Sequence, residues 1–158
     1  AADLYKLTGD KKYLNQSLQY SAKEKVTPWM GKDTAKHYQW YPFHNFGHYE
    51  LAKESGKINE AKLMAYYKEG IERVWKKAEQ NAFYSGVPFI WFSNNLNTSF
   101  AIQCYLYRKV SADNEFAELE QDCYEWIFGC KLWGKSMVYG LQENGKKPTA
   151  RHSSLTYL

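Results

Sequence analysis

The chain is poor in the features that would give it a quick chemical identity. Its 158 residues hold three cysteines, Cys104, Cys123 and Cys130. An odd number with no metal-type pairing implies no disulfide framework. Cys123 and Cys130, seven apart, fall on one face of a helix and read as small buried hydrophobes. No apolar run approaches the roughly 20 residues that cross a bilayer. The net charge is +4, but the Lys and Arg are scattered among Asp and Glu. Without a basic tract there is no footprint for nucleic acid or an anionic membrane surface. No signal-like segment and no Met open the chain. Ala1–Leu7 reads as a helix already under way, without an N-cap, and Ser153–Leu158 stops without a terminator. The expectation is a single partial domain over 1–158, cut at both ends.

Catalytic signatures are missing too. There is no G-x-S-x-G elbow and no Gly-rich phosphate loop. The main loop carboxylates, Asp33 and Glu143, sit in Lys-rich, hydrophilic surroundings that suit solvated tips. Glu50, Glu54, Asp113 and Glu118 belong to helices or caps, so no acid–base couple of carboxylates stands out. His44 and His48 are four apart, a spacing that can hold a metal, yet no Glu lies between them in the H-E-x-x-H pattern and no third ligand is evident. They are expected on a helix surface or facing a mouth, and His37 in a polar loop has no evident partner.

What the chain has in quantity is aromatic rings: 18% of its residues, with 14 Tyr and 6 Trp. That exceeds what a core of this size needs and points to rings kept for ligands. A second signal is a repeated joint. Thr8-Gly9-Asp10, Ser55-Gly56-Lys57 and Ser111-Ala112-Asp113 each end one helical pattern and begin another. Gly9 suits a left-handed C′ position, and Asp10 can cap the next helix. Recurrence at spacings of about fifty residues marks an array of αα-hairpins. Helices are expected over 1–7, 11–25, 44–55, 58–79, 95–110 and 114–128, the fourth carrying a broad apolar stripe from Leu63 to Trp75.

If the three short joints share one end of the stack, the long connections 26–43, 80–94 and 129–158 share the other. Those connections hold Trp29, Trp40, Trp91 and Trp133, all four prolines, and Tyr41, Phe83, Tyr84, Phe89, Phe92 and Tyr139. Long loops on a rigid scaffold are where function usually sits. Trp40-Tyr-Pro-Phe-His44 and Trp91-Phe-Ser-Asn-Asn95 mix stacking rings with hydrogen-bonding groups, as saccharide recognition requires. On residues alone the reading is an aromatic-faced αα-array that binds a saccharide.

Three stretches carry a resemblance. Leu4-Tyr-Lys-Leu-Thr-Gly-Asp-Lys-Lys-Tyr-Leu14, Gly86-Val-Pro-Phe-Ile-Trp-Phe-Ser-Asn-Asn-Leu96 and Trp126-Ile-Phe-Gly-Cys-Lys-Leu-Trp-Gly-Lys-Ser-Met137, in that order, resemble the C-terminal half of a glycoside hydrolase family 9 catalytic domain, closest to its bacterial branch. The first motif is weak, since many αα-toroids use it; the other two are fairly specific. The resemblance covers nearly the whole chain. It implies an all-α fold, about half of an (α/α)₆ toroid, and a parent enzyme of cellulase or endoglucanase type. That parent would hydrolyse β-1,4-glucan-type polysaccharide with inversion, taking its base Asp and acid Glu from outside these residues.

The same resemblance makes His152 an auxiliary residue that binds sugar near the point of cleavage. Trp40, Tyr41, Trp91, Asn94, Asn95, Trp133, Tyr139 and Arg151 then become substrate-binding candidates. Two departures touch that closing loop. Cys130 is followed by Lys131-Leu132 where the family usually has Asn-Pro, and His152 is followed by Ser153-Ser154 where many members have His-x-Arg. No metal site and no cofactor are expected, with calcium left open for the parent domain. The expected partners are a polysaccharide or oligosaccharide and the missing half of the same domain, with no nucleic acid and no membrane span. Family habit implies a secreted or periplasmic protein. The alternative, from a different class, is a non-catalytic helical module that turns its aromatic face to a glycan or a protein. An Asp-x-x-Asp motif before the chain and an acidic cluster with a Glu after it would favour the enzyme.

Overall fold

The structure is a computed structural model describing residues 1–26, 30, 45–88, 93–132, 134–138 and 140–141. Six helices account for most of them: α1 (Ala2–Thr8), α2 (Lys11–Lys23), α3 (Phe46–Glu54), α4 (Lys57–Ala78), α5 (Ser93–Ser111) and α6 (Ala117–Phe128). No strand occurs among the described residues. The expected all-α hairpin array is what forms, with each helix boundary within about three residues of the one read from the pattern.

The joints explain the architecture. At all three, one residue adopts a positive φ: Gly9 at φ 68° in the left-handed helical region, Ala112 at φ 58°, and Gly56 at φ 80° with an extended ψ of 160°. The first and third are chemically the same device. Thr8 Oγ1 donates back to the Leu4 carbonyl at 2.7 Å, and Ser111 Oγ to that of Tyr107 at 2.7 Å. The same hydroxyls then accept from the amides of Asp10 and Asp113, both at 3.2 Å. The two aspartates in turn accept from the amides of Lys12 at 2.8 Å and Glu115 at 2.9 Å. Each joint therefore satisfies the end of one helix and the start of the next within three residues. The middle joint has Lys57 in place of Asp, and α4 starts without a side-chain cap.

Alternate helices pack into layers, α1 beside α3 and α3 beside α5, while each hairpin partner fills the other layer. Contacts near the joints show that these share one end. Lys6 bridges to Glu50 at 2.7 Å and to Glu54 at 3.7 Å, tying the end of α1 to the end of α3. Lys53 lies 4.9 Å over the Tyr49 ring, and Tyr49 also reaches Lys109 near the end of α5. The loop after α4, the first turn of α5 and the last of α6 meet at the far end.

The core runs along α4 and α5, where Leu63, Tyr67, Ile71, Val74, Leu96, Phe100 and Cys104 are buried. Phe116, just past the third joint, packs edge-on to Trp75 in the last turn of α4 at 5.8 Å and tilted against Tyr107 at 5.4 Å. Arg108 clamps α5 to α6 through a two-pronged ion pair with the buried Glu120, at 3.0 and 3.1 Å. Geometry of that kind lets a buried charge be tolerated.

Three expectations are corrected. Helix α5 begins at Ser93, so Asn94 and Asn95 lie in its first turn rather than in the preceding loop. Helix α6 begins at Ala117, because Asp113 and Asn114 first close a tight turn onto the amides of Glu115 and Ala117. His48 is buried, not surface or mouth-facing. Its Nε2 reaches the Ser21 carbonyl at 3.1 Å and its Nδ1 the Asn45 amide at 3.4 Å, so it links α2 to α3. His37 and His44 lie outside the described residues.

The joints make opposite predictions for the same pair of residue types. Ala112→Gly should stabilise the chain by about 0.5–1 kcal/mol, since the left-handed position penalises a Cβ. Gly56→Ala should cost about 1–3 kcal/mol, since φ 80° with ψ 160° is a backbone region open essentially to glycine alone. Urea denaturation of both variants checks the signs, and a destabilised Ala112→Gly protein would contradict this account of the joint.

Candidate functional site

At the far end, three elements converge on a pair of rings. The loop after α4 is built around Asn81, whose side chain makes four hydrogen bonds. Its Nδ2 donates to the carbonyls of Lys77 at 3.1 Å and Ser85 at 2.6 Å. Its Oδ1 accepts from the amides of Phe83 and Ser85, both at 3.2 Å. Tyr84 is held at φ 50°, with its hydroxyl accepting from the Trp75 indole at 2.9 Å. Gly86 then passes so close to α4 that a Cβ would run into the Val74 carbonyl. The loop is thus fixed by its own polar contacts, and Phe83 is left 40% exposed.

Phe83 meets Trp126, in the last turn of α6, with ring centres 6.4 Å apart and planes 87° apart. Trp126 is half-buried, and its indole N–H donates to Asn94 Oδ1 at 3.1 Å. An indole N–H can only donate, so this bond fixes the orientation of the amide. Oδ1 faces the ring, and Nδ2 lies on the opposite side of the group. Rings and amide form a right-angled corner joining the α4–α5 loop, the start of α5 and the end of α6.

The segment after α6 is stitched back onto that helix. Gly129 is left-handed at φ 81°. The amides of Cys130 and Met137 reach the carbonyls of Glu125 and Ile127, both at 2.8 Å. Ser136 is fully buried, and its hydroxyl accepts from the amide of Val138 at 3.0 Å. Lys131 folds against the side of α6, paired with the buried Asp122 and 3.7 Å from Glu125. Burial pulls the Lys131 ammonium below its usual range and Glu118 opposes this, while the direct pair with Asp122 keeps the charge in place. The residue that departs from the family's Asn-Pro is therefore an anchor, leaving Leu132 at the tip 84% exposed. Phe128, Val138 and Leu141 are exposed at the same end.

A cavity of about 470 Å³ opens between α1, α2 and α3, lined by Ser17, Tyr20, Ser21, Phe46, His48 and Glu50 among others. Its polar members are largely committed. Ser17 and Ser21 donate to backbone carbonyls at 2.8 and 2.9 Å, and Glu50 is held by Lys6 and Lys53, which keep its carboxyl below the usual range.

Of the residues expected to hold a ligand, Asn94 and Asn95 are described. Asn94 is fixed by Trp126, and Asn95 is exposed one residue further along α5. Trp40, Tyr41, Trp91, Trp133, Tyr139, Arg151 and His152 lie outside the described residues, as do Asp33 and Glu143. Sequence reasoning misses Trp126: the pattern ends this helix correctly at 128, next to the long closing connection, but counts the ring with the helix and not with the loop face. It also misses that Phe83 is the ring left exposed. The Asn81 to Gly86 spacing is the available signal, since Asn and Gly mark a loop closed by side-chain bonds.

Two buried carboxylates, Glu120 and Asp122, are both taken by cations, and neither sits in the apolar pocket that a general acid needs. Among the described residues no group of His, Cys, Asp and Glu converges as metal ligands would. Cys104 and Cys123 are buried with thiols pushed up by burial, Cys123 to about 12, so neither is a nucleophile. Cys130, expected inside with Cys123, is exposed because α6 ends two residues before it.

Gly86 is the most sensitive point of the corner. Gly86→Ala should cost about 1–3 kcal/mol and displace Phe83, because the clash is with backbone. Thermal unfolding of the variant together with the Trp126 indole resonance checks this, and an unchanged protein would contradict it.

Two comparisons are negative: no curated protein and no solved structure matches the chain significantly. A third is decisive for descent. The sequence profile of glycosyl hydrolase family 9 matches residues 1–157, nearly the whole chain. With three αα-hairpins in series and the three motifs in order, the chain belongs to glycosyl hydrolase family 9.

Proposed function

We propose that the chain forms the sugar-binding wall of an inverting glycoside hydrolase of cellulase or endoglucanase type. Its substrate would be a β-1,4-linked glucan, and the acid and base that cleave it would come from outside these residues. The observation that carries this reading is the concentration of rings and amides at the long-loop end. Phe83, Trp126 and Asn94 are the described part of that face. Trp40, Tyr41, Trp91, Asn95, Trp133 and Tyr139 would extend it along the glucan. Arg151 and His152 would hydrogen-bond hydroxyls near the cleavage point.

Inversion needs a carboxylic acid and a carboxylate about 6.5–9.5 Å apart, with a water on the face opposite the leaving group. Many of the described carboxylates serve other ends. Glu50, Glu60, Glu69, Glu115, Glu120 and Asp122 are all in ion pairs with Lys or Arg. Asp10 and Asp113 cap helical turns, and Asp113 also accepts from the Tyr107 hydroxyl at 2.7 Å. The lysines beside Glu50, and the Glu115 amide and Tyr107 hydroxyl beside Asp113, hold these two carboxyls below the usual range, whereas a general acid must carry its proton near neutral pH.

The purified 158-residue chain should release no reducing ends from carboxymethyl-cellulose beyond a boiled control. It should nevertheless bind cellotetraose. Turnover by the isolated chain would overturn the placement of the acid and base outside it. Absence of any saccharide binding would overturn the proposed role altogether.

A further inference from the structure

We propose that Phe83, Trp126 and Asn94 form a pyranose-binding corner, a subsite set by the loop after α4 rather than by the closing loop that carries His152. This rests on the saccharide-binding reading above and adds a particular position to it. Economy of construction points to it first. Phe83 contributes little to the core, since it is 40% exposed and its described ring partner is Trp126. Holding it there takes four hydrogen bonds from Asn81, a left-handed Tyr84 and a glycine wedged against α4. A surface loop with no task does not need that much local constraint, and strained backbone gathers where a ligand is met.

Shape points the same way. Two ring planes at 87° give a corner with one exposed ring as a wall and the other as a floor. The axial C–H bonds of a β-linked glucose all point out of the two faces of its ring, and they carry partial positive charge. They pack well on the electron-rich face of an aromatic ring. The equatorial hydroxyls then radiate in the ring plane toward whatever lies beside the wall. Polarity completes the match. Asn94 is fixed by the indole N–H so that its Nδ2 faces away from Trp126, set to donate to such a hydroxyl. A stacking ring with an amide donor locked beside it selects a neutral, flat-faced sugar over a charged or purely apolar ligand.

The corner belongs to rigid elements at both sides. Trp126 is on the last turn of α6, whose following segment is bonded back at Cys130 and Met137, and Asn94 is on the first turn of α5. Preorganisation of this kind means the rings need no ordering when sugar arrives.

The test titrates cellotetraose into the 158-residue chain and follows its tryptophan indole N–H resonances by NMR, with Trp126→Phe identifying the relevant peak. Wild-type protein should bind, and the Trp126 indole peak should move with saturation. Phe83→Ala should weaken binding roughly tenfold, the loss of one stacking contact. Phe83→Tyr should restore it. Because Phe83 is 40% exposed and lies outside the helices, Phe83→Ala should keep the wild-type helical circular dichroism, which separates a lost contact from a lost fold. Wild-type binding left unchanged in Phe83→Ala, with a stationary Trp126 peak, overturns the corner and leaves the general saccharide reading standing. No binding of cellotetraose by the wild type overturns both.

Discussion

Everything at the functional end depends on a constraint at the opposite one. Each hairpin reverses direction within three residues, which is possible because one residue per joint accepts a positive φ. A joint that short forces its two helices to pack against each other and allows no insertion. The polypeptide that could not be accommodated there had to go to the far end, where α4 hands over to α5 and α6 runs out. Side-chain capping makes the first and third joints self-sufficient, so the scaffold stays rigid whatever the loops do. The middle joint reverses the chain with fewer partners, through a glycine at φ 80° and ψ 160°, and its Ser55 hydroxyl is buried without one. The reversal is therefore a property of the backbone first and of the caps second.

The far end shows how a helical array can hold aromatic rings out of its own core. Phe83 stays 40% exposed because the loop is pinned on either side of it, by Asn81 to the last turn of α4 and by Tyr84 and Gly86 against Trp75 and Val74, which leaves its ring outside the core. Trp126 stays accessible because α6 ends one turn later at a left-handed Gly129. Lys131 performs a comparable service on the other flank. By pairing with Asp122 it turns the chain along α6 rather than across the corner. Membership of glycosyl hydrolase family 9 fits this division between a self-contained scaffold and a face of rings.

The fold is largely legible in the sequence because its signals are local. Repeated Thr/Ser-Gly/Ala-charged joints and an apolar stripe from Leu63 to Trp75 are read over a few residues each. Helix existence comes from them, and so does the separation of the two ends. The site is legible only in kind. Aromatic excess and loop position point to the long-loop end, and Asn94 lies beside the two described rings there. Which rings meet there depends on where α5 starts and α6 stops, to within a turn. A shift of two residues at the start of α5 puts Asn94 in a helix instead of a loop, whereas the end of α6 is read correctly and only the meeting of the Trp126 ring with Phe83 and Asn94 is missed. His48 shows the same limit from the other side. Its i,i+4 spacing with His44 carries no information about Ser21, a sequence-distant carbonyl that turns it into a core residue. Cys130 is misplaced by periodicity, which continues on paper past the glycine that ends the helix.

The central claim is that saccharide is met at the long-loop end. Hydrogen–deuterium exchange of the chain with and without cellotetraose tests this most directly, because both ends of every helix report separately. Exchange should slow in the presence of sugar over 79–88, the first turn of α5 and the residues around Trp126. No change is predicted at the joints around Gly9, Gly56 and Ala112. Protection confined to the joints, or none anywhere, would contradict the claim.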